Sequence, residues 1–167
     1  MRNLILGMSL CLAATGLARA QEKSIKEQLI GAWSLASVTS EMDDGSKGEP
    51  FGASPKGMIV FSSDGHFALF QSRAEIPKIA ANDRAKATPT EAQEIVASSI
   101  AYYGSYVVNE SAKEITVNLD ASTFANVAAI PNQKRIVTLL TPTELRFDNP
   151  RTPSGMTLKT VWKKAGT

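Results

Sequence analysis

From Gly31 to Lys163 the chain is a succession of short strand-like runs separated by turn residues, and that rhythm limits its possible folds more than any other feature. The sharpest instance is Gly57-Met58-Ile59-Val60-Phe61 and His66-Phe67-Ala68-Leu69-Phe70, flanking Ser62-Ser63-Asp64-Gly65. Asp-Gly between two apolar runs is the strongest short-range signal for a β-hairpin, because the turn needs residues that tolerate positive φ. Both faces of these two runs are apolar, so one face is expected to lie under another element. Further runs follow at Ser105–Val108, Glu114–Leu119, Lys134–Leu140, Glu144–Phe147 and Met156–Lys163, with turn residues such as Thr141-Pro142-Thr143 between them. About eight strands at short spacing, all suited to hairpin links, predict an all-β, antiparallel up-and-down barrel.

The first strand is read from Leu29-Ile30-Gly31-Ala32-Trp33-Ser34-Leu35-Ala36-Ser37-Val38. Ser24, with Glu27 three residues on, caps a helical turn before it. Period-2 alternation puts Trp33, Leu35 and Ser37 on one face and Ala32, Ala36 and Val38 on the other. Glu41 to Lys56 is a loop rich in Gly, Pro and Asp, within which Asp44-Gly45 closes a tight turn. Phe51, its one large apolar residue, reads as a plug that tacks the loop down. A helix is expected at about 88–103. Thr88 is its N-cap, Pro89 stands at the first helical position and Glu91 completes a capping box. Ala92, Ile95, Val96, Ser99, Ile100 and Tyr103 form its packing stripe, and Gly104 stops it. The segment Glu75 to Lys86 reads as an irregular connection.

Residues 1–20 read as a secretory signal: Arg2, an apolar run from Leu4 to Ala14, and Ala18-Arg19-Ala20 as the cleavage site. The run is short for a bilayer span. Cleavage after Ala20 would leave residues 21–167 as one domain in the periplasm or outside the cell, with no transmembrane segment. The removed segment holds Arg2, Arg19 and no acids. Of 18 Lys and Arg, 16 would remain against 16 Asp and Glu, a net charge near zero. That leaves no basic footprint for nucleic acid. The single Cys, Cys11, lies in the removed segment. No disulfide can then hold the domain, so its core must, and a chain of this size buries roughly 70% of its unfolded surface.

Taken together, Leu29-Ile30-Gly31-Ala32-Trp33, Pro50-Phe51-Gly52 with Pro55-Lys56-Gly57, Ser63-Asp64-Gly65, Ala101-Tyr102-Tyr103-Gly104-Ser105-Tyr106 and Val161-Trp162-Lys163 resemble the bacterial and fungal lipocalin-like domain family. The resemblance covers nearly the whole chain after residue 20. It implies an eight-stranded barrel with a helix inserted between the third and fourth strands, holding a small, largely apolar molecule. Lipocalins place a basic side chain of the last strand over the first-strand Trp, a role the resemblance offers to Lys159 or Lys163. The chain departs from the family pattern at Asn118, where a His is frequent, and at Ala125 and Ala129, where Pro and Gly are. Arg135 keeps the family's basic position. Losing the His would remove a titratable group from the interior.

Chemistry-bearing residues are few. With no Cys after residue 20 and His66 as the one His, a Cys nucleophile and a multi-histidine metal site are excluded. No phosphate-binding loop or serine-hydrolase elbow is present. Ser62-Ser63 beside His66 reads as a turn, and Glu41 with Asp43-Asp44 as a solvated acidic loop. No cofactor is expected. The candidate ligand-binding residues are Phe67, Leu69, Phe70 and Phe124 as apolar lining, Tyr102 and Tyr106 as phenols facing the interior, and Arg135. Two placements of Arg135 fit the pattern: buried and meeting an anionic or carbonyl group, or outward on the alternate pleat. The leading expectation is a barrel that binds a small apolar or amphipathic molecule. An isomerase, cyclase or hydrolase using a Tyr, His66 or a carboxylate is the alternative, and an envelope interaction module is the third.

Overall fold

A computed structural model describes residues 23–166. The expected signal segment and its cleavage site lie outside the described residues. The elements in order are α1 (Ile25–Leu29), β1 (Gly31–Glu41), β2 (Lys47–Gly48), β3 (Lys56–Phe61), β4 (His66–Ser72), a 3-10 turn (Arg84–Lys86), α2 (Pro89–Ser98), β5 (Ser99–Asn109), β6 (Glu114–Ser122), α3 (Ala125–Ala128), β7 (Gln133–Leu140), β8 (Glu144–Asn149) and β9 (Thr157–Lys164). Successive strands pair antiparallel, and β9 pairs back onto β1, closing an eight-stranded up-and-down barrel. The two-residue β2 only folds back on the end of β1, with Ser40 opposite Gly48. Closure leaves none of the eight barrel strands with an unpaired edge.

The interior follows from alternation, with three register shifts. On β4, Phe67, Leu69 and Gln71 are buried while His66, Ala68 and Phe70 are exposed. On β1 the pairing with β9 slips between Leu35 and Ser37, a bulge at Ala36. The extra residue reverses the alternation, so Val38 joins Trp33 and Leu35 inside rather than facing away from them as period 2 predicts. The second, at Thr138 of β7, likewise reverses the alternation, so Leu140 packs on the core while Leu139 is exposed. The third adds Asp120 to β6 opposite Tyr103 and Gly104 of β5, whose own alternation is unbroken. A Cβ on Gly104 would lie 2.0 Å from the Asn118 carbonyl oxygen. That position admits only glycine, because the two backbones nearly touch.

The helix expected at 88–103 is shorter. The capping box of Thr88 and Glu91 forms, but α2 ends at Ser98. Strand pairing overrides the helical period here: residues 99–105 pair with β4 from Ser72–Ser99 to His66–Ser105. Ile100, Tyr103 and Gly104 therefore belong to a strand, and Tyr103, expected in the core, is 52% exposed on the outside. The stripe is not a packed face either, since Val96 is 69% exposed. The outward faces of β3 and β4 also carry exposed apolar residues, Met58 opposite Phe70 and Val60 opposite Ala68. No described element covers them, contrary to the expectation from their two-sided apolarity.

One end of the barrel is closed and filled. Leu29, Trp33, Phe61, Phe67, Tyr106, Ile115, Phe147 and Trp162 pack there, with Phe61 stacked on Phe67 and edge-on to Tyr106. α1 bridges this end. Its first backbone amides, Ile25 and Lys26, donate to the Glu110 carboxylate in the β5–β6 turn. At its other terminus Leu29 accepts from the Trp33 indole N–H at 2.7 Å. Lys164 then completes the plug: its Nζ lies 4.1 Å from the Trp33 ring centroid and donates to the Ile30 carbonyl at 2.6 Å. The cation over Trp33 is thus neither Lys159 nor Lys163. Lys159 pairs with Glu41 at 2.6 Å, and Lys163 pairs with Glu144. Burial lowers the Lys164 pKa, with Lys23 adding to the effect.

Candidate functional site: a cationic cavity at the barrel mouth

The opposite end is where β4, β6 and β8 finish and β5, β7 and β9 begin, and it is not filled. A cavity of about 1020 Å³ opens there, walled by Phe51, Ile95, Ile100, Tyr102, Phe124 and Leu158 among others. An eight-stranded barrel either packs its interior or leaves room for one small ligand. This one does the first at the α1 end and the second at the mouth. α2, α3 and the loops around Phe51 and Arg151 form the rim.

Arg135 is the polar centre of the cavity. It is 8% exposed and inward, in register with the fully buried Ile115 of β6. Its Nη1 donates to the Lys134 carbonyl at 3.0 Å and its Nη2 to Gln133 Oε1 at 3.3 Å. Gln133 is itself held by α3: its Nε2 donates to the Val127 and Ile130 carbonyls at 2.8 and 3.1 Å. The short α3 segment thus orients Gln133, and Gln133 orients the guanidinium. No carboxylate among the described residues forms an ion pair with Arg135. A guanidinium carries five donors, so most of its capacity remains unused.

The surrounding charge is of one sign. Arg84, Lys134, Arg135 and Arg151 line the cavity, whose lining contains no Asp, Glu or His. Lys134 is neutralised by Glu114 at 3.1 Å; the other three pair with no acid among the described residues. A cation-lined cleft with low-dielectric walls attracts anions and raises their rate of entry.

The sequence-read candidates divide by position. Tyr102, Phe124 and Arg135 are brought together around the cavity. Phe67 and Leu69 are inward and 5% exposed but belong to the packed core; Phe67 meets Tyr102 edge-on at 6.0 Å, where core gives way to cavity. Tyr106 lies deeper, its hydroxyl donating to the Ser62 carbonyl at 2.8 Å, and burial raises its pKa. Phe70 does not face the interior; it is 42% exposed on the outer pleat. Asn118 is likewise outside, clamping Asn132, whose backbone N–H it accepts at 2.8 Å. Its departure from the family His therefore changes the outer surface and not the interior. Phe51, read as a plug, both packs on the core cluster and lines the cavity.

His66 is remote from the cavity, in the β3–β4 turn, with a side chain 65% exposed and Nδ1 3.1 Å from Asp64. The Ser62 hydroxyl engages Asp64 and the His66 carbonyl, not the imidazole, so no Ser–His nucleophile is assembled. Among the described residues no group of His, Cys, Asp or Glu could hold a metal ion, and no helix is long and apolar enough to cross a membrane.

Gln71 and Asn149 were not among the sequence-read candidates, yet both line the cavity. Period 2 contains the signal for each. Gln71 follows Phe67 and Leu69 on β4, and Asn149 follows Leu145 and Phe147 on β8, each a polar residue ending an inward apolar row.

A family model described as a lipocalin-like domain matches residues 30–165. The chain belongs to the lipocalin-like domain family. Comparison with curated protein sequences finds no match. Among solved structures, this lipocalin-like barrel is similar to an NMR structure of a protein from Bacteroides uniformis, at 12% identity and a TM-score of 0.43 over 85% of this chain and 93% of that one. It is also similar to a redesigned β-barrel, mFAP1, bound to DFHBI, at 17% identity and a TM-score of 0.42 over 85% and 100% of the two chains.

Proposed function

We propose that this protein is an exported lipocalin-like barrel that holds a small amphipathic molecule, its apolar part against the cavity wall and an oxyanion or carbonyl oxygen against Arg135. The observation that carries this reading is the buried guanidinium without an acidic partner in a cavity that also presents apolar walls. Burying a charge without a counter-charge costs several kcal/mol in general, so a chain retains one where a ligand completes it. The lining offers no carboxylate or imidazole for acid–base chemistry, which supports binding over catalysis. Export is supported by the signal-like residues 1–20.

Calorimetry with dodecanoate, dodecanol and dodecyltrimethylammonium tests the binding. Dodecanoate is expected to bind and the ammonium amphiphile not to. Arg135→Met should weaken dodecanoate by about tenfold or more, the scale of a charge-assisted hydrogen bond, while dodecanol is unchanged. The same variant should melt no lower than the native protein, because it removes an uncompensated charge. A protein that binds none of the three, or an Arg135→Met variant with native dodecanoate affinity, refutes the proposal. For export, the mass of protein recovered from the periplasm or medium should correspond to a chain starting at Gln21; a full-length chain retained in the cytoplasm refutes it.

A further inference from the structure

Arg135 does not act alone. In the β7–β8 ladder the last pair toward the mouth is Ile136 opposite Asp148, and Arg135 and Asn149 are the next residues of their strands. Asn149 in turn pairs with Leu158 on β9. Residues opposite one another in an antiparallel pair share a face, with Cβ atoms about 4.5–5.5 Å apart. Asn149 follows the buried Leu145 and Phe147 at period 2, and it lines the same cavity as Arg135. Its Oδ1 is buried and is the one such side-chain atom among the described residues with no hydrogen-bond partner. Arg135 donates elsewhere, to Lys134 and Gln133, although Asn149 lines the same cavity.

Two unmet requirements of opposite kind therefore belong to one cavity wall: donors seeking an acceptor, and an acceptor seeking a donor. A simple carboxylate meets only the first, since it accepts and cannot donate. Placed on Arg135, it would face the Asn149 oxygen with nothing between them. We infer that the ligand's head group is a carboxylate with an O–H or N–H donor on the adjacent carbon, as in a 2-hydroxy acid or an N-acylated amino acid. The carboxylate takes the free Arg135 N–H groups, which match its two oxygens in a fork. The neighbouring donor meets Asn149 Oδ1 as that buried amide turns toward the cavity. The tail runs along Ile100, Phe124 and Leu158 toward the rim. This inference rests on the binding reading above.

The test is calorimetry on the native protein with dodecanoate and the separate enantiomers of 2-hydroxydodecanoate. One enantiomer is expected to bind about tenfold tighter than dodecanoate, the factor set by one additional satisfied buried hydrogen bond. In Asn149→Leu that advantage disappears while dodecanoate still binds. Equal affinity of dodecanoate and both enantiomers for the native protein overturns the inference and leaves the amphiphile reading intact. So does an advantage that survives in Asn149→Leu, since the hydroxyl would then be met by another group. Failure of all three probes and of dodecanol overturns the amphiphile reading itself.

Discussion

Two charged residues on this barrel show how position sets the role of a charge. Asp64, in the β3–β4 turn, is solvated and well satisfied; Ser62 first and then His66 hold its carboxyl down to about 2, from an ordinary 3.8. A carboxyl with a depressed folded-state pKa adds stability that is present above the unfolded value and lost as pH falls through the folded one. Asp64 therefore supports the hairpin at neutral pH and ceases to between about pH 4 and about pH 2. Asp64→Asn should melt lower than the native protein at pH 6 and converge with it toward pH 2; a difference that stays constant across that range would show the effect is not the carboxylate. Arg135 is the reverse case, buried and left without an acid. The first charge serves the fold, and the second is explained by what enters the cavity.

At the scale of an element, α2 is a well-capped helix with little beneath it. Its N-terminus has the full Thr88–Glu91 box, and Glu91 also accepts from the Ala80 backbone at 2.9 Å, tying the preceding loop to the helix. Yet its one buried residue is Ser98. Its stability comes from caps and from its junction with β5 more than from apolar burial. Thr88→Ala should cost the helix about 1 kcal/mol, a typical value for a lost N-cap. That cost should appear as faster amide exchange over residues 89–98 with almost no change in the global melting temperature. A melting temperature lowered in proportion would instead make α2 part of the cooperative core. Because Ile95 and Val96 face the cavity rim, such loosening bears on ligand entry.

At the scale of the molecule, the barrel is divided between a plugged, aromatic end and an open, cationic one. A net charge of +2 over the whole sequence does not show this; Arg84, Arg135 and Arg151 line the cavity, and no Asp or Glu is among its lining residues. Raising ionic strength from 0.01 to 1 M shortens the screening length from about 30 to about 3 Å. The association rate of dodecanoate should therefore fall steeply with salt while that of dodecanol stays level, as read by stopped-flow quenching of intrinsic fluorescence. Equal salt dependence of the two would mean the rim charges do not steer.

The sequence alone determined whatever depends on neighbouring residues. Ser62-Ser63-Asp64-Gly65 specifies a hairpin, and Gly65 has the positive φ of 91° that such a turn requires. Thr88-Pro89-Thr90-Glu91 starts a helix, and Ser24 with Glu27 starts another, because caps are satisfied within one turn. Strand count and barrel class were legible for the same reason, as was the inward placing of Phe67 and Leu69 on β4, though not the outward one of Phe70. Tertiary structure decided the rest, through partners distant in the chain. The bulges at Ala36 and Thr138 reverse which residues face inward on β1 and β7, and their positions are fixed by hydrogen bonds to other strands. α2 stops at Ser98 because β4 captures the residues that follow. Lys164 covers Trp33 because β9 closes on β1 in that register. Arg135 could be read as inward or outward until β6 paired beside it, with Ile115 opposite. Barrel closure then put Asn149 of β8 in the lining of the same cavity, with an oxygen that has no hydrogen-bond partner.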